Sequence, residues 1–256
     1  MTIHDTAIID KTAKIGNNVV IGPYTVIGEN VVIGDDVVIK NNTTIHCNTT
    51  IGNKTKISSY ASLGGDPQDI SFKETDDTYL EIGENCDIRE FTSINRGTNK
   101  DNRLTKIGNN CLIMSNVHIG HDCVIANNVI ISTSCGLAGH CKIEDNVVLG
   151  GMTGLHHHLR IGKFTMIGGH MGLRKDVMPY SLLNEADTIR SANVVGLTRA
   201  GASKSDIVAI TKAIKKIQNK DNVLSELAQS LLNSDNEYIK EIGEFISAES
   251  KLGLAR

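Results

Sequence analysis

The chain has no tryptophan, only three prolines and 4% aromatic residues. A core built around packed rings is therefore excluded, and burial must rest on Ile, Leu and Val. No apolar run approaches the ~18 residues of a membrane span. The N-terminus, MTIHDTAIIDKTAK, lacks the basic-then-apolar pattern of a secretory signal. There is no surplus of positive charge either. With 26 basic and 29 acidic residues the formal net charge is −3, which offers nucleic acid no general surface. These absences predict a cytoplasmic protein with no membrane span and no nucleic-acid partner. Among the six cysteines no Cys-x-x-Cys pair supports zinc, and a disulfide framework is not expected in a cytosolic chain.

What is present is a repeat. Stepping by six from Ile3, every position as far as Leu63 is Ile or Leu. The phase slips, resumes at Ile82, Ile88 and Ile94, slips again, and runs from Ile107 to Leu173. Period six is neither the 3.6 of a helix nor the 2 of a plain strand. It matches a parallel β-helix, in which short strands and corners stack coil upon coil. Gly follows many of the aliphatics, as at Gly16, Gly22 and Gly34, and Asn or Asp commonly comes next. Both suit a tight corner. Cys86, Cys111, Cys123, Cys135 and Cys141 lie two before an aliphatic, a position otherwise held by small or β-branched residues. They are expected to face inward as fillers, with Cys47 outside that phase.

Two polar segments, 64–81 and 95–106, interrupt the phase and are expected to project as loops on a binding face. After Leu173 the period changes. Ile207, Ile210, Ile214 and Ile217 fall at helical spacing with Ser205 as the expected N-cap, and two shorter helices follow. The division expected is a β-helix over 1–187 and a helical domain over 188–256.

The histidines are unevenly spread: seven lie between 118 and 170. Residues eighteen apart sit on neighbouring coils, one sheet spacing of ~4.8 Å away. His121 therefore lies beside Gly139, and Asp122 beside His140. A histidine can take a proton near neutral pH, an adjacent carboxylate can orient it, and a glycine N–H can receive an oxyanion. Together these are the parts of acyl transfer to a hydroxyl or amine. The rival reading of clustered imidazoles is a zinc site.

The pattern [Ile/Leu/Val]-Gly-x-x-small-x resembles the hexapeptide-repeat, left-handed β-helix family. HIGHDC, GLAGH, GGMTGLH, IREFTSINRGT, DVMPY and NVVGLTRAG resemble its UDP-N-acetylglucosamine O-acyltransferase branch, which opens lipid A biosynthesis. The resemblance covers essentially the whole chain. It implies an all-β left-handed parallel β-helix with a C-terminal α-helical domain, and a homotrimer with sites between subunits. It further implies transfer of an (R)-3-hydroxyacyl chain from acyl carrier protein to the 3-hydroxyl of UDP-N-acetylglucosamine, with no cofactor and no metal. By position it makes His121 the general base, Asp122 its partner and Gly139 the oxyanion donor. Asp69, His118, His140, His156, Asn193 and Arg199 become substrate-binding residues, and Met166 and Gly169 the end of an acyl-chain groove. Basic residues of the helical tail, among them Arg199, Lys204 and Lys212, are expected to receive the carrier protein. Ser71 stands two after Asp69, where the family often has Lys, and Lys73 lies two further on. The alternatives are a related N-acyltransferase, a variant using a 3-amino sugar, and a structural β-helix without activity.

Overall fold

In the computed structural model, which describes residues 1–256, the sixfold spacing becomes a parallel β-helix. Most hexapeptides give a strand of two residues, and successive strands are dealt in rotation onto three sheets. Thr2–Ile3 opens sheet A, Ile8–Ile9 sheet B and Lys14–Ile15 sheet C, before Val20–Ile21 returns beside Thr2–Ile3. The repeated aliphatics point inward: Ile21, Ile45, Ile88, Ile119 and Leu149 are all 1% exposed or less. Each such side chain stabilises the fold by about 1.5–3 kcal/mol. The residues two before them, including the five phased cysteines, are buried as well, and Cys47 is half-buried.

The corners correct one expectation. The residue at left-handed φ is the one at the third corner position, most often Asn, Asp or His, as at Asn18 (φ 55), Asp36 (φ 58), Asp122 (φ 58) and His140 (φ 63), but also Tyr24, Lys54 and Met152. The glycines that follow the aliphatics, Gly64 (φ 80) at the first insertion apart, are not there for φ. A Cβ on Gly16 would come within 2.6 Å of the Gly34 carbonyl carbon, and one on Gly22 within 2.8 Å of the Asn41 nitrogen. They let adjacent coils approach.

Both interruptions fall in the corner between sheets B and C. They raise the spacing of stacked partners from eighteen residues to 31 (Lys56 beside Asp87) and 25 (Ser93 beside His118). Arg96, buried between them, binds Asp66 at 2.7 Å and the Gly64 carbonyl at 3.1 Å, and stacks over Phe72.

The two ends differ. At the N-terminal end Ile3 and Ile8 are exposed. At the other, sheet A is extended by an antiparallel hairpin, Ser181–Glu185 and Thr188–Ala192, whose tip lies at 186–187. Four helices follow: α1 (Val194–Arg199), α2 (Lys204–Gln218), α3 (Leu224–Leu232) and α4 (Glu237–Ser247). They share one apolar core with the β-helix through Leu197, Ile210, Ile214, Ile217, Ile242 and Phe245. The N-cap of α2 is Ser203, whose hydroxyl accepts from the Asp206 N–H, rather than Ser205. No helix is long and apolar enough to cross a membrane.

Candidate active site

His121, Gly139 and His157 occupy the middle position of the B–C corner in successive coils. The His140 N–H donates to the His121 carbonyl (2.9 Å), and the His158 N–H to the Gly139 carbonyl (3.1 Å). His121 is 7% exposed, and its Nδ1 lies 2.8 Å from Asp122 Oδ2. Its Nε2 has no partner within the chain and faces Gly139: a Cβ there would lie 2.6 Å from the ring Cε1 and 2.8 Å from Nε2. Glycine is therefore required at 139 by the position of the ring. The Gly139 N–H itself meets no acceptor in the chain.

Asp122 is held from the second insertion. The Thr98 hydroxyl donates to Oδ2 (2.6 Å) and the Thr98 N–H to Oδ1 (2.9 Å), while the Asp122 N–H donates to Thr105 Oγ1 (2.8 Å). Burial of the Asp122 carboxyl raises its pKa. Hydrogen bonds from the His121 ring and from Thr98 outweigh that and hold it below the usual carboxylate value. The outcome is an ionised carboxylate that fixes the His121 ring with Nε2 outward.

Beside this pair opens a cavity of about 480 Å³, lined by Gln68, Asn95, His118, His121, Gly139 and His156 among others. Its floor includes Gly136, Gly154 and Gly172, outward positions on sheet B where an added Cβ would meet nothing within 4 Å. His118 Nδ1 is 2.8 Å from Ser93 Oγ. Burial, then the charge of His121, lowers the pKa of His118, favouring the neutral ring. Asn95 is buried with its Nδ2 donating to the Asp66 carbonyl (2.7 Å), and its Oδ1 has no partner. That acceptor is free for a ligand donor.

The structure thus brings His118, His121, Gly139 and His156 to one cavity, with Asp122 behind. The other expected residues lie elsewhere in the chain. His140 lines a neighbouring polar cavity with Lys100, Asp101 and His158; its Nε2 is 3.8 Å from Asp122 Oδ2 and its ring stacks on His158. Asp69, next to the lining residue Gln68, accepts from Ser71 and from Lys100 Nζ (2.6 Å). Lys100 supplies its cation, and that bond first, then those of Ser71, hold the Asp69 carboxyl well below the usual range. Asn193 caps α1, its Oδ1 accepting from Gly196 N–H (3.0 Å) and its Nδ2 donating to the Phe164 carbonyl (2.8 Å). Arg199 is exposed at the end of α1. Met166 lies on sheet A and Gly169 at the A–B corner.

The ligand-type atoms of His121, Asp122 and His140 lie within 4.8 Å of one another, the spacing a metal would use. Asp122 already accepts from both donors of Thr98 and lies 2.8 Å from the His121 ring nitrogen, so its oxygens are engaged within the chain. Sequence reasoning missed Thr98, Asn95 and the three glycines of the floor. The glycines did carry a signal: each precedes an aliphatic, and they recur at intervals of eighteen.

Residues 176–255 match the family model described as "Udp N-acetylglucosamine O-acyltransferase; Domain 2", and 1–35, 12–47 and 104–139 match that of the bacterial transferase hexapeptide. An acyl-[acyl-carrier-protein]–UDP-N-acetylglucosamine O-acyltransferase of Nautilia profundicola is 44% identical over 77% of this chain and 76% of its own. The crystal structure of the UDP-N-acetylglucosamine O-acyltransferase of Moraxella catarrhalis superimposes with a TM-score of 0.95 at 38% identity, covering 100% of both chains. That of the Arabidopsis UDP-N-acetylglucosamine acyltransferase gives 0.84 at 30% identity, over 99% of this chain and 100% of that one. With its repeats and its helical tail matched by these models, and relatives of this identity covering most or all of its length, the chain belongs to the UDP-N-acetylglucosamine O-acyltransferase family.

Proposed function

We propose that this chain moves an (R)-3-hydroxyacyl group from acyl carrier protein to the 3-hydroxyl of UDP-N-acetylglucosamine, the first step of lipid A biosynthesis, with His121 as general base. The observation that carries the reading is the His121 ring, tied to ionised Asp122 at 2.8 Å with its Nε2 free beside Gly139. Nε2 takes the proton of the acceptor hydroxyl as its oxygen attacks the thioester carbonyl. The Gly139 N–H donates to the oxyanion that forms. When the C–S bond breaks, the leaving thiolate takes the proton back from the imidazolium, so the C–O ester and a thiol are the products.

His118 and His156 line the space for the nucleotide sugar and the thioester, and the free Oδ1 of Asn95 accepts from the acceptor. The open floor over Gly136, Gly154 and Gly172 gives the acyl chain room, leading toward the A–B corner that holds Gly169. Asn193 and Arg199, away from the cavity of their own chain, serve the nucleotide across a subunit boundary in a homotrimer. Exposed Arg199, Lys204, Lys212, Lys215 and Lys216 give the acidic carrier protein a surface in the cytoplasm.

His121→Ala tests the reading. Turnover of the hydroxyacyl-carrier donor with UDP-N-acetylglucosamine is expected to fall at least ~10²-fold with the melting temperature kept. Near-normal turnover would overturn the assignment of the base.

A further inference from the structure

The Gly139 N–H is one end of a peptide unit whose other end is the Ala138 carbonyl. That carbonyl accepts from the Cys123 thiol, with Sγ 3.2 Å from the oxygen, and no backbone N–H reaches it. Cys123 is fully buried. Contact with the Cys141 thiol, and then burial, push the Cys123 thiol well above its ordinary range, so the sulfur keeps its proton and remains a donor.

The anchor itself is a habit of the fold. Thr25, Thr43 and Thr153 each donate from inside the coil to a corner carbonyl fifteen residues on, at 3.0–3.1 Å. Cys111 repeats the Cys123 geometry at the other end of sheet C, donating to the Ala126 carbonyl at the same 3.2 Å. The two peptides differ at their N–H. After Ala126, the Asn127 N–H is taken by Asp145 Oδ1 at 2.7 Å. After Ala138, the Gly139 N–H is free. Held at both ends, the Ala126–Asn127 unit does not depend on a thiol. The Ala138–Gly139 unit has the thiol as its one hydrogen bond.

We infer that Cys123 is a positioning residue for the reaction: its S–H, donated to the Ala138 carbonyl, fixes and polarises the peptide whose Gly139 N–H receives the oxyanion. A donor at the carbonyl strengthens the N–H at the far end of the same amide. The inference rests on the reading of Gly139 as oxyanion donor, and it assigns the core side of the corner a part in the chemistry.

Cys123→Val removes the donor with a residue that the same phase of the repeat already uses at Val117, Val129 and Val147. Its kcat is expected to fall about three- to tenfold, with KM for both substrates within about twofold, the mark of a contact made in the transition state. Cys123→Ser keeps a donor and is expected to return kcat to within about twofold of the parent. Cys111→Val removes the matching bond where the N–H is already paired, and is expected to lower the melting temperature while leaving kcat unchanged. If Cys123→Val keeps the kcat of Cys111→Val, or if the serine variant is as slow as the valine one, the inference is overturned. A near-normal His121→Ala would instead remove the reading beneath it. An inactive His121→Ala beside a full-rate Cys123→Val removes only the role of the thiol.

Discussion

The two corners that flank sheet C are built from the same parts and treat their amides in opposite ways. At the corner between sheets C and A, a side chain caps the middle amide of the coil before it at five steps of the stack. Asp35 accepts from the Asn17 N–H (2.6 Å), Asn53 from Asp35 (2.8 Å), Asn109 from Glu84 (2.8 Å), Asn127 from Asn109 (2.8 Å) and Asp145 from Asn127 (2.7 Å). At the corner between B and C, His121, Gly139 and His157 take the middle position, and none of their amides is capped. One column spends most of its middle amides on holding coils together. The other leaves a donor and a ring nitrogen facing a cavity. The fold needs no special corner to make a site; it needs only to leave the ladder out of one.

Substitutions at the two corners break this comparison apart. The largest effect beyond that at His121 is expected from Gly139→Ala, whose Cβ would lie 2.6 Å from the His121 ring. Displacing the ring should cost kcat about 10²-fold. Gly108→Ala, whose Cβ would meet the Ala126 carbonyl carbon at 2.7 Å, should lower the melting temperature without a specific loss of kcat. Steady-state kinetics with thermal melts on both variants separates the two, and a Gly139→Ala enzyme at parental rate would dissolve the distinction.

Thr98→Val comes next. It deletes a 2.6 Å hydrogen bond to the Asp122 carboxylate and should slow turnover about tenfold, the worth of a bond to a charged group. The sign with pH follows from the depressed pKa of Asp122. A carboxyl held low in the folded state stabilises above its unfolded value of about 3.9, and that contribution is lost as pH falls through the lower folded value. Losing Thr98 moves the folded value up. The melting temperatures of parent and variant should therefore differ most near neutrality and converge as pH falls below the depressed folded value, a scan that constant separation would contradict.

The smallest effect belongs to the capped corner. Asn127→Ala removes the cap on the Asn109 N–H and should cost about 1 kcal/mol, or about 2–4 °C in melting temperature, with kcat unchanged. A fall in kcat comparable to that at Thr98 would mean that the C–A corner also serves the reaction.

The register of the fold was legible because the inward aliphatics permit one spacing only, and steps of eighteen then put His121 next to Gly139. Legibility ended where that arithmetic did. Thr98 reaches Asp122 across an insertion, at a separation of 24 residues that no repeat dictates. Lys100 reaches Asp69 from one insertion to the other for the same reason. Neighbouring residues of one corner also diverge, so His140 follows Gly139 in sequence yet opens on a different cavity. The glycines of the repeat show a subtler limit. Spacing marked them, but whether they relieve torsion or contact depends on the distance to the next coil, which sequence does not carry.

The exposed Ile3 and Ile8 at one end, and the helices closing the other, give the molecule a polarity of motion. A stack whose coils touch only their neighbours opens from the uncovered end, one rung at a time. Amide exchange should be quickest in the first coils and slow toward the helical cap. The reacting corner is then sheltered by position alone: the β-helix can breathe at its tip while the peptide at Gly139 stays still.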